Sequence, residues 1–254
     1  MMNREMILPS MSREEYQQKL LYYQTELNML QRYLRDNHIP LIIVIEGLEA
    51  SGKGKIIEEL TRPLDPRAFR VFPVFLATKE ERMYPFLYRF WQWTPAKGRI
   101  HVFNRSWYIR LLDARVKKNI SRSDWYIALK EVREFERTLI DNGTHILKFW
   151  LNMSKKEQKR RLEKRETKPD LQFRVNKDVW KDHKRYEKYS EMLQQTLMHT
   201  DTTRAPWQII PADNPESARI MLLQSVTDRM VDLVGKEFRE VAESARAELS
   251  RRGA

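Results

Sequence analysis

Residues 47–53 read Gly-Leu-Glu-Ala-Ser-Gly-Lys and follow directly on the strand-like run Leu41–Glu46; no other stretch restricts the fold as much. Gly47-(x4)-Gly52-Lys53 has the spacing of a phosphate loop. Glycines there let main-chain N–H groups turn inward and nest around phosphate oxygens. Lys55–Leu60 continues with helical spacing, so a helix amino end, with free N–H donors and partial positive charge, faces the same anion. Lys53 adds a full charge on a mobile stem that can follow a transferring phosphoryl group. The competing reading is an accidental glycine-rich turn. The strand before it and the helix after it are the context a true loop demands.

One position departs from the common pattern. A Ser or Thr usually follows the lysine and holds Mg2+, and here that residue is Gly54. Ser51 lies before Gly52 and is not an obvious substitute. A magnesium ligand has to come from elsewhere, and Glu49 offers a carboxylate inside the loop.

Five short apolar or β-branched runs punctuate the chain: Leu41–Ile45, Arg70–Phe75, Arg99–Phe103, Thr144–Leu151 and Trp207–Ile210. Longer charged stretches with helical spacing separate them. Such alternation predicts an α/β fold, a parallel sheet covered by helices on both faces. The first helix is expected from Ser12 to about Arg35, opened by a Ser12–Glu15 capping box and carrying Leu20, Leu27, Leu30 and Leu34 as its apolar stripe. It reads as a packing helix, with an oligomer contact as the other use. Pro215–Arg252 reads as a last amphipathic helix with a solvated basic tail from Arg246.

Charge narrows the partners. Lys and Arg number 47 against 35 Asp and Glu, a formal +12 in 254 residues. That field attracts polyanions: nucleic acid, an anionic membrane surface or phosphate-rich small molecules. With Cys at 0, disulfides and Cys-ligated metals are excluded. No run approaches the length of a membrane span and no secretory signal core opens the chain, so a soluble, cytoplasmic protein is expected. The five histidines are scattered without metal-ligand spacing, and none is assigned to catalysis. Trp91, Trp93, Trp150, Trp180 and Trp207 read as packing residues.

The run Arg99–Phe103 ends in Asn104-Arg105-Ser106-Trp107-Tyr108-Ile109-Arg110. Ligands of parallel sheets sit beyond the carboxyl ends of strands, which brings Asn104 and Arg105 near the phosphate loop. Arg105 and Arg110 suit neutralisation of phosphoryl charge; a pair of surface arginines is the alternative.

At this point the sequence resembles the polyphosphate kinase 2 family. Ile45–Lys55 resembles that family's phosphate loop, and Leu64-Asp65-Pro66-Arg67 its L-D-P-R. Tyr84–Trp91 resembles R-P-Y-L-x-R-F-W, and Asn104–Arg110 resembles D-R-S-W-Y-x-R. Lys148–Leu151 with Ser154–Gln158 matches K-F-W-L and S-x-x-E-Q, and Thr200–Trp207 matches T-D-T-x-x-A-P-W. The likeness runs from about Pro40 to Arg219. Around Arg165-Glu166-Thr167 and Phe173 it leans to members that pass phosphate from polyphosphate to AMP.

The resemblance implies a three-layer P-loop kinase sandwich like thymidylate kinase, with a five-stranded parallel sheet and a helical lid. One domain over 1–254 is expected, with a helical segment at 1–39 and the lid and its following helix at about 152–200. The implied reaction moves a terminal phosphoryl group between inorganic polyphosphate and a nucleotide with Mg2+, or Mn2+ in its place. AMP to ADP leads; a nucleoside diphosphate acceptor, or a binding relative without turnover, are the alternatives. A dimer or tetramer is expected, with neither membrane nor nucleic acid as partner.

Lys53, Arg105, Arg110 and Arg165 carry over as catalytic residues. Gly47, Ser51, Gly52, Gly54, Lys55 and Arg161 would bind phosphate. Glu49 and Asn104 would handle the metal, each standing where the family usually has Asp. In Lys155–Lys168 basic residues outnumber Glu157, Glu163 and Glu166, so mutual pairing cannot neutralise the helix. Arg161 and Arg165, four apart, share one face. A solvated helix face is the plainer reading. Lys168–Asn176 is expected to form the loop after this helix.

Overall fold

The computed structural model describes residues 11–252, with side chains as far as residue 234. Strands β1 (Leu41–Gly47), β2 (Phe69–Pro73), β3 (Ile100–Asn104), β4 (His145–Asn152) and β5 (Trp207–Pro211) form one sheet in the order β2-β3-β1-β4-β5. Every pairing is parallel. The expected α/β fold with a five-stranded parallel sheet is the observed one. Strand bounds shift by a residue or two, most usefully at β1, which runs on through Glu46 to Gly47 opposite Leu151.

β1 is central and fully buried. Its side chains alternate, as strand geometry requires. Leu41, Ile43 and Ile45 enter one core with α1 (Arg13–Asp36), α2 (Lys53–Thr61) and α9 (Pro215–Arg252). Ile42 and Val44 enter the other, rich in aromatics, with Trp107 and Tyr108 of α4 (Trp107–Val116) and Trp125 and Phe135 of α5 (Arg122–Asp141). A four-residue helix, α3 (Tyr88–Trp91), contributes Phe90 to that second core.

Local sequence accounts for the helix ends. Ser12 Oγ accepts the Glu15 N–H at 3.1 Å, while the Glu15 carboxylate turns to Lys19 at 2.7 Å; the capping box is thus half used. Leu27, Leu30 and Leu34 are buried, and α1 packs along α9. The basic tail from Arg246 and the segment before residue 11 lie outside the described side chains.

Residues 152–200 carry α6 (Lys155–Glu166), α7 (Lys177–Lys184) and α8 (Tyr186–Thr200). A short 3-10 turn, Gln172–Arg174, lies in the expected loop between α6 and α7. α8 packs on α4, where Tyr189, Met192 and Leu193 meet Ile109, Leu112 and Trp150.

The family-like segments outside the loop are largely architectural. Lys148 of β4 is 1% exposed. Its ammonium donates to Glu136 at 2.8 Å, to the Thr200 carbonyl at 2.8 Å and to Tyr108 Oη at 3.2 Å. Tyr108 Oη and Trp107 Nε1 donate to the same Glu136 carboxylate at 2.5 and 3.2 Å. Trp207 Nε1 donates to Thr200 Oγ1 at 3.0 Å. One buried charge pair therefore ties β4, α4, α5 and the α8–β5 junction, with every charge hydrogen-bonded as burial demands.

Candidate active site

Gly47 ends β1 where backbone meets backbone. A Cβ there would stand 2.7 Å from Ser51 Oγ and 3.0 Å from the Leu151 carbonyl. Gly52, at φ 98°, occupies the left-handed region and turns the chain into α2. Between them Ala50 holds φ 65°, and across the site Arg105 holds φ 67°. Left-handed backbone costs a residue with a Cβ about 1–2 kcal/mol. Both of these residues line one cavity of about 610 Å3 at the carboxyl edge of β1, β2 and β3.

The cavity gathers most of the expected site. Glu49, Ser51, Gly52, Lys53, Gly54, Lys55, Asn104, Arg105 and Arg165 line it. Asn104 closes β3 opposite Ile45, and the Arg105 N–H donates to the Ile45 carbonyl at 3.0 Å. Glu49 accepts an ion pair from Arg105 and stands 3.9 Å from Arg165 Nη1, so one carboxylate bridges a guanidinium of the strand edge and one of α6. Burial, then the neighbouring Arg174 and Arg161, push the Arg165 pKa down. Crowded like charges of this kind favour an anion between them. Lys55 is exposed and paired with Glu58 at 2.7 Å. Gly54 has open space beyond it: outside its own helix an added Cβ would meet no described residue within 4 Å.

Lys53 is 9% exposed and folded over the loop. Its ammonium donates to the Gly47 carbonyl at 2.6 Å, the Leu48 carbonyl at 3.0 Å and Ser51 Oγ at 3.3 Å. Burial lowers its pKa to about 8, against the pull of Glu46.

Three expected residues lie off the cavity wall: Gly47, whose carbonyl accepts from Lys53 behind the loop, Arg161 and Arg110. Arg161 donates to the main-chain oxygens of Ala50 at 3.1 Å, Ala212 at 2.6 Å and Asp213 at 2.9 Å, and to Glu157 at 2.6 Å. It staples α6 to the back of the phosphate loop and does not line the cavity. Arg161 and Arg165, four apart on α6, diverge in use: the first meets main-chain carbonyls and the second, one turn on, lines the cavity. Arg110 lies over the Phe86 ring at 5.8 Å and among Arg89, Glu81 and Arg82, also off the cavity wall.

Three further residues shape the site. Gln158 Nε2 donates to the Glu49 carbonyl at 3.1 Å, and its Oε1 accepts from His183 Nδ1 at 2.8 Å. Arg174 lines the cavity from the turn after α6; its only signal was a basic residue beside Phe173. Glu46, at the end of β1, is 0% exposed. A charged residue closing an otherwise apolar strand was the signal there.

The family profile described as polyphosphate kinase 2 matches residues 10–237. The chain belongs to the polyphosphate kinase 2 family. The polyphosphate:AMP phosphotransferase of Pseudomonas syringae pv. tomato is 34% identical over 220 residues, 87% of this chain and 44% of that protein. The chain thus spans less than half the length of that relative. The GDP-polyphosphate phosphotransferase of Mycobacterium tuberculosis is 32% identical over 208 residues, 82% of this chain and 70% of that protein. The crystal structure of polyphosphate kinase 2 from Arthrobacter aurescens TC1 superposes with a TM-score of 0.86 at 26% identity, covering 91% of this chain and 84% of that one. No described helix of this polyphosphate kinase 2 chain is long and apolar enough to cross a membrane.

Proposed function

We propose that the chain transfers the terminal phosphoryl group of inorganic polyphosphate to a nucleotide, with AMP as the leading acceptor. The observation that carries this reading is the Glu49 carboxylate held between Arg105 and Arg165 on the rim of a loop that also contains Lys53. That grouping supplies what phosphoryl transfer asks of a protein, positioning and opposite charge.

In this mechanism the N–H groups at the amino end of α2 take the phosphate oxygens, and Lys53 swings from its loop carbonyls to them. Arg105, Arg165 and Arg174 oppose the charge on the transferring group. The bond from the terminal phosphorus to its bridging oxygen breaks, and the shortened polyphosphate leaves with the electron pair. A bond forms from that phosphorus to an oxygen of the AMP phosphate. The acceptor is already an anion, so no proton has to be removed, and none of the histidines is needed as a base. Pro73, Val74, Phe75 and Val179 line the same cavity. They form an apolar wall that a nucleoside can use and a bare polyanion cannot.

Mg2+, or Mn2+ in its place, is part of the proposal. Among the described residues no cluster of three or more His, Cys, Asp or Glu could hold a metal. Glu49 and Asn104 line the cavity together, one a carboxylate and one an amide oxygen, both hard donors. This set fits an ion held largely by substrate phosphates, which is how Mg2+ commonly binds. When bound, it neutralises charge on the phosphate oxygens.

A nucleoside diphosphate acceptor is the second reading, favoured by the likeness to the GDP-polyphosphate phosphotransferase. Incubation with Mg2+, polyphosphate and AMP, ADP, GMP or GDP in turn separates the readings by product. Polyphosphate binding without product from any acceptor sinks both.

A further inference from the structure

We infer that Glu46 is a positioning residue for Lys53, joining the phosphate loop to the amino end of α4 through one carboxylate oxygen and setting its buried negative charge against the lysine. This rests on the proposed phosphoryl transfer.

Glu46 lies at the carboxyl end of β1, just before Gly47, and is 0% exposed. Its Oε1 accepts the Ser106 N–H at 2.8 Å, the Ser106 hydroxyl at 2.7 Å and the Ile109 N–H at 3.3 Å. Ser106 is the N-cap of α4, and its Oγ also accepts the Tyr108 N–H at 3.2 Å. The strand that delivers the phosphate loop therefore holds the helix that follows Arg105. Oε2 is buried and has no hydrogen-bond partner among the described residues.

A buried carboxylate oxygen left without a donor is costly unless charge compensates it. Two cations face Glu46: Lys53 of α2 and Arg105 at the β3 edge. Lys53 in turn is faced by Glu46 from β1 and Arg165 from α6. Arg105 is already engaged with Glu49 in the loop. Among the described residues Lys53 has only carbonyls and a hydroxyl as hydrogen-bond partners, and Glu46 is the anion that favours its charged form against burial. Burial raises the Glu46 carboxyl above its ordinary range, opposed by Ser106, Lys53 and Arg105. Glu46 touches neither the cavity nor substrate in this assignment. It acts through Lys53 and the placement of Arg105.

Glu46→Gln separates charge from architecture. Glutamine keeps an acceptor oxygen for Ser106 and Ile109 and removes the negative charge. Glu46→Asp keeps the charge but withdraws it from Ser106 by one methylene. Titration of Lys53 by NMR in lysine-labelled protein, assigned by loss of the signal in Lys53→Arg, reads the effect without any turnover. In Glu46→Gln the Lys53 pKa should fall by about one unit or more, with the thermal midpoint little changed. In Glu46→Asp the midpoint should drop while the Lys53 titration stays close to wild type. Where wild type turns over, Glu46→Gln should lower kcat at least about tenfold and move the alkaline limb of the pH profile to lower pH. An unshifted Lys53 titration in Glu46→Gln overturns the inference. Absence of wild-type turnover with a shifted titration overturns the functional reading and leaves the Glu46–Lys53 coupling standing.

Discussion

Gln158 Nε2 donates to the main-chain oxygen of Glu49 at 3.1 Å, so the lid-side helix grips the phosphate loop at the residue whose carboxylate faces Arg105 and Arg165. His183 holds Gln158 from behind at 2.8 Å, and Arg161 grips the next carbonyl, that of Ala50. Truncating Gln158 leaves a part-buried carbonyl on one side and the buried His183 ring on the other unmatched. Gln158→Ala should cost about 1–3 kcal/mol in denaturant unfolding. The loss should be non-additive with His183→Ala in a double-mutant cycle; additive losses would show that no relay exists.

The Lys148–Glu136 pair is fully buried, with side chains 0% and 3% exposed. Lys148→Met alone should cost about 3–5 kcal/mol, because Glu136 is left as an unpaired buried charge. Adding Glu136→Leu should recover much of that loss. Turnover per folded molecule should stay within about threefold, since the pair lies outside the cavity. Stability from denaturant curves and active-site-normalised kcat check the two halves separately.

Lys53→Ala should remove transfer while leaving the fold largely intact, measured as kcat against circular dichroism. Its pH dependence has two signs. Under the proposed transfer the charged lysine serves catalysis, so the rate should decline as pH rises through about 8, the depressed pKa. Stability runs the other way. Between about 8 and the ordinary lysine value the folded chain binds fewer protons than the unfolded chain, so this group's contribution to stability rises with pH there. A parallel decline of both would contradict the assignment.

Glu49→Gln removes the charge shared by Arg105 and Arg165. Turnover should fall by about 10²–10³, and the Mg2+ concentration for half-maximal rate should rise. Stability should change by less than about 1 kcal/mol, as the ion pairs are part-exposed. Glu49→Asp keeps the charge and should stay within about tenfold of wild type. Chelation of divalent ions should abolish the wild-type rate and leave the thermal midpoint nearly unmoved.

The fold was legible because its determinants are local. The β-branched run along Leu41–Glu46 and the glycine spacing after it are properties of neighbouring residues. What stayed hidden depends on partners distant in the chain. Arg161 and Arg165 share a helix face, but only the position of Ala50 and Ala212 shows that the first is consumed by carbonyls. Lys148 reads as one more basic residue in a family-like segment until Glu136, Tyr108 and Thr200 close around it. Glu46 could be read as a strand end, and its role needs Ser106, which lies 60 residues away.

Gly54 sits inside the first turn of α2, and beyond its own helix no described residue comes within 4 Å of where a side chain would begin. No neighbour forbids a larger residue, and a glycine inside a helix is less stable than alanine by roughly 0.5–1 kcal/mol. Bare backbone at this point leaves a gap about a methyl group wide beside the helix's free N–H groups. A chain of linked phosphates, unlike a single terminal one, has to lie past the loop as well as end in it. Under the proposed transfer, the missing side chain would let such a chain pass the loop, at the cost of some helix stability.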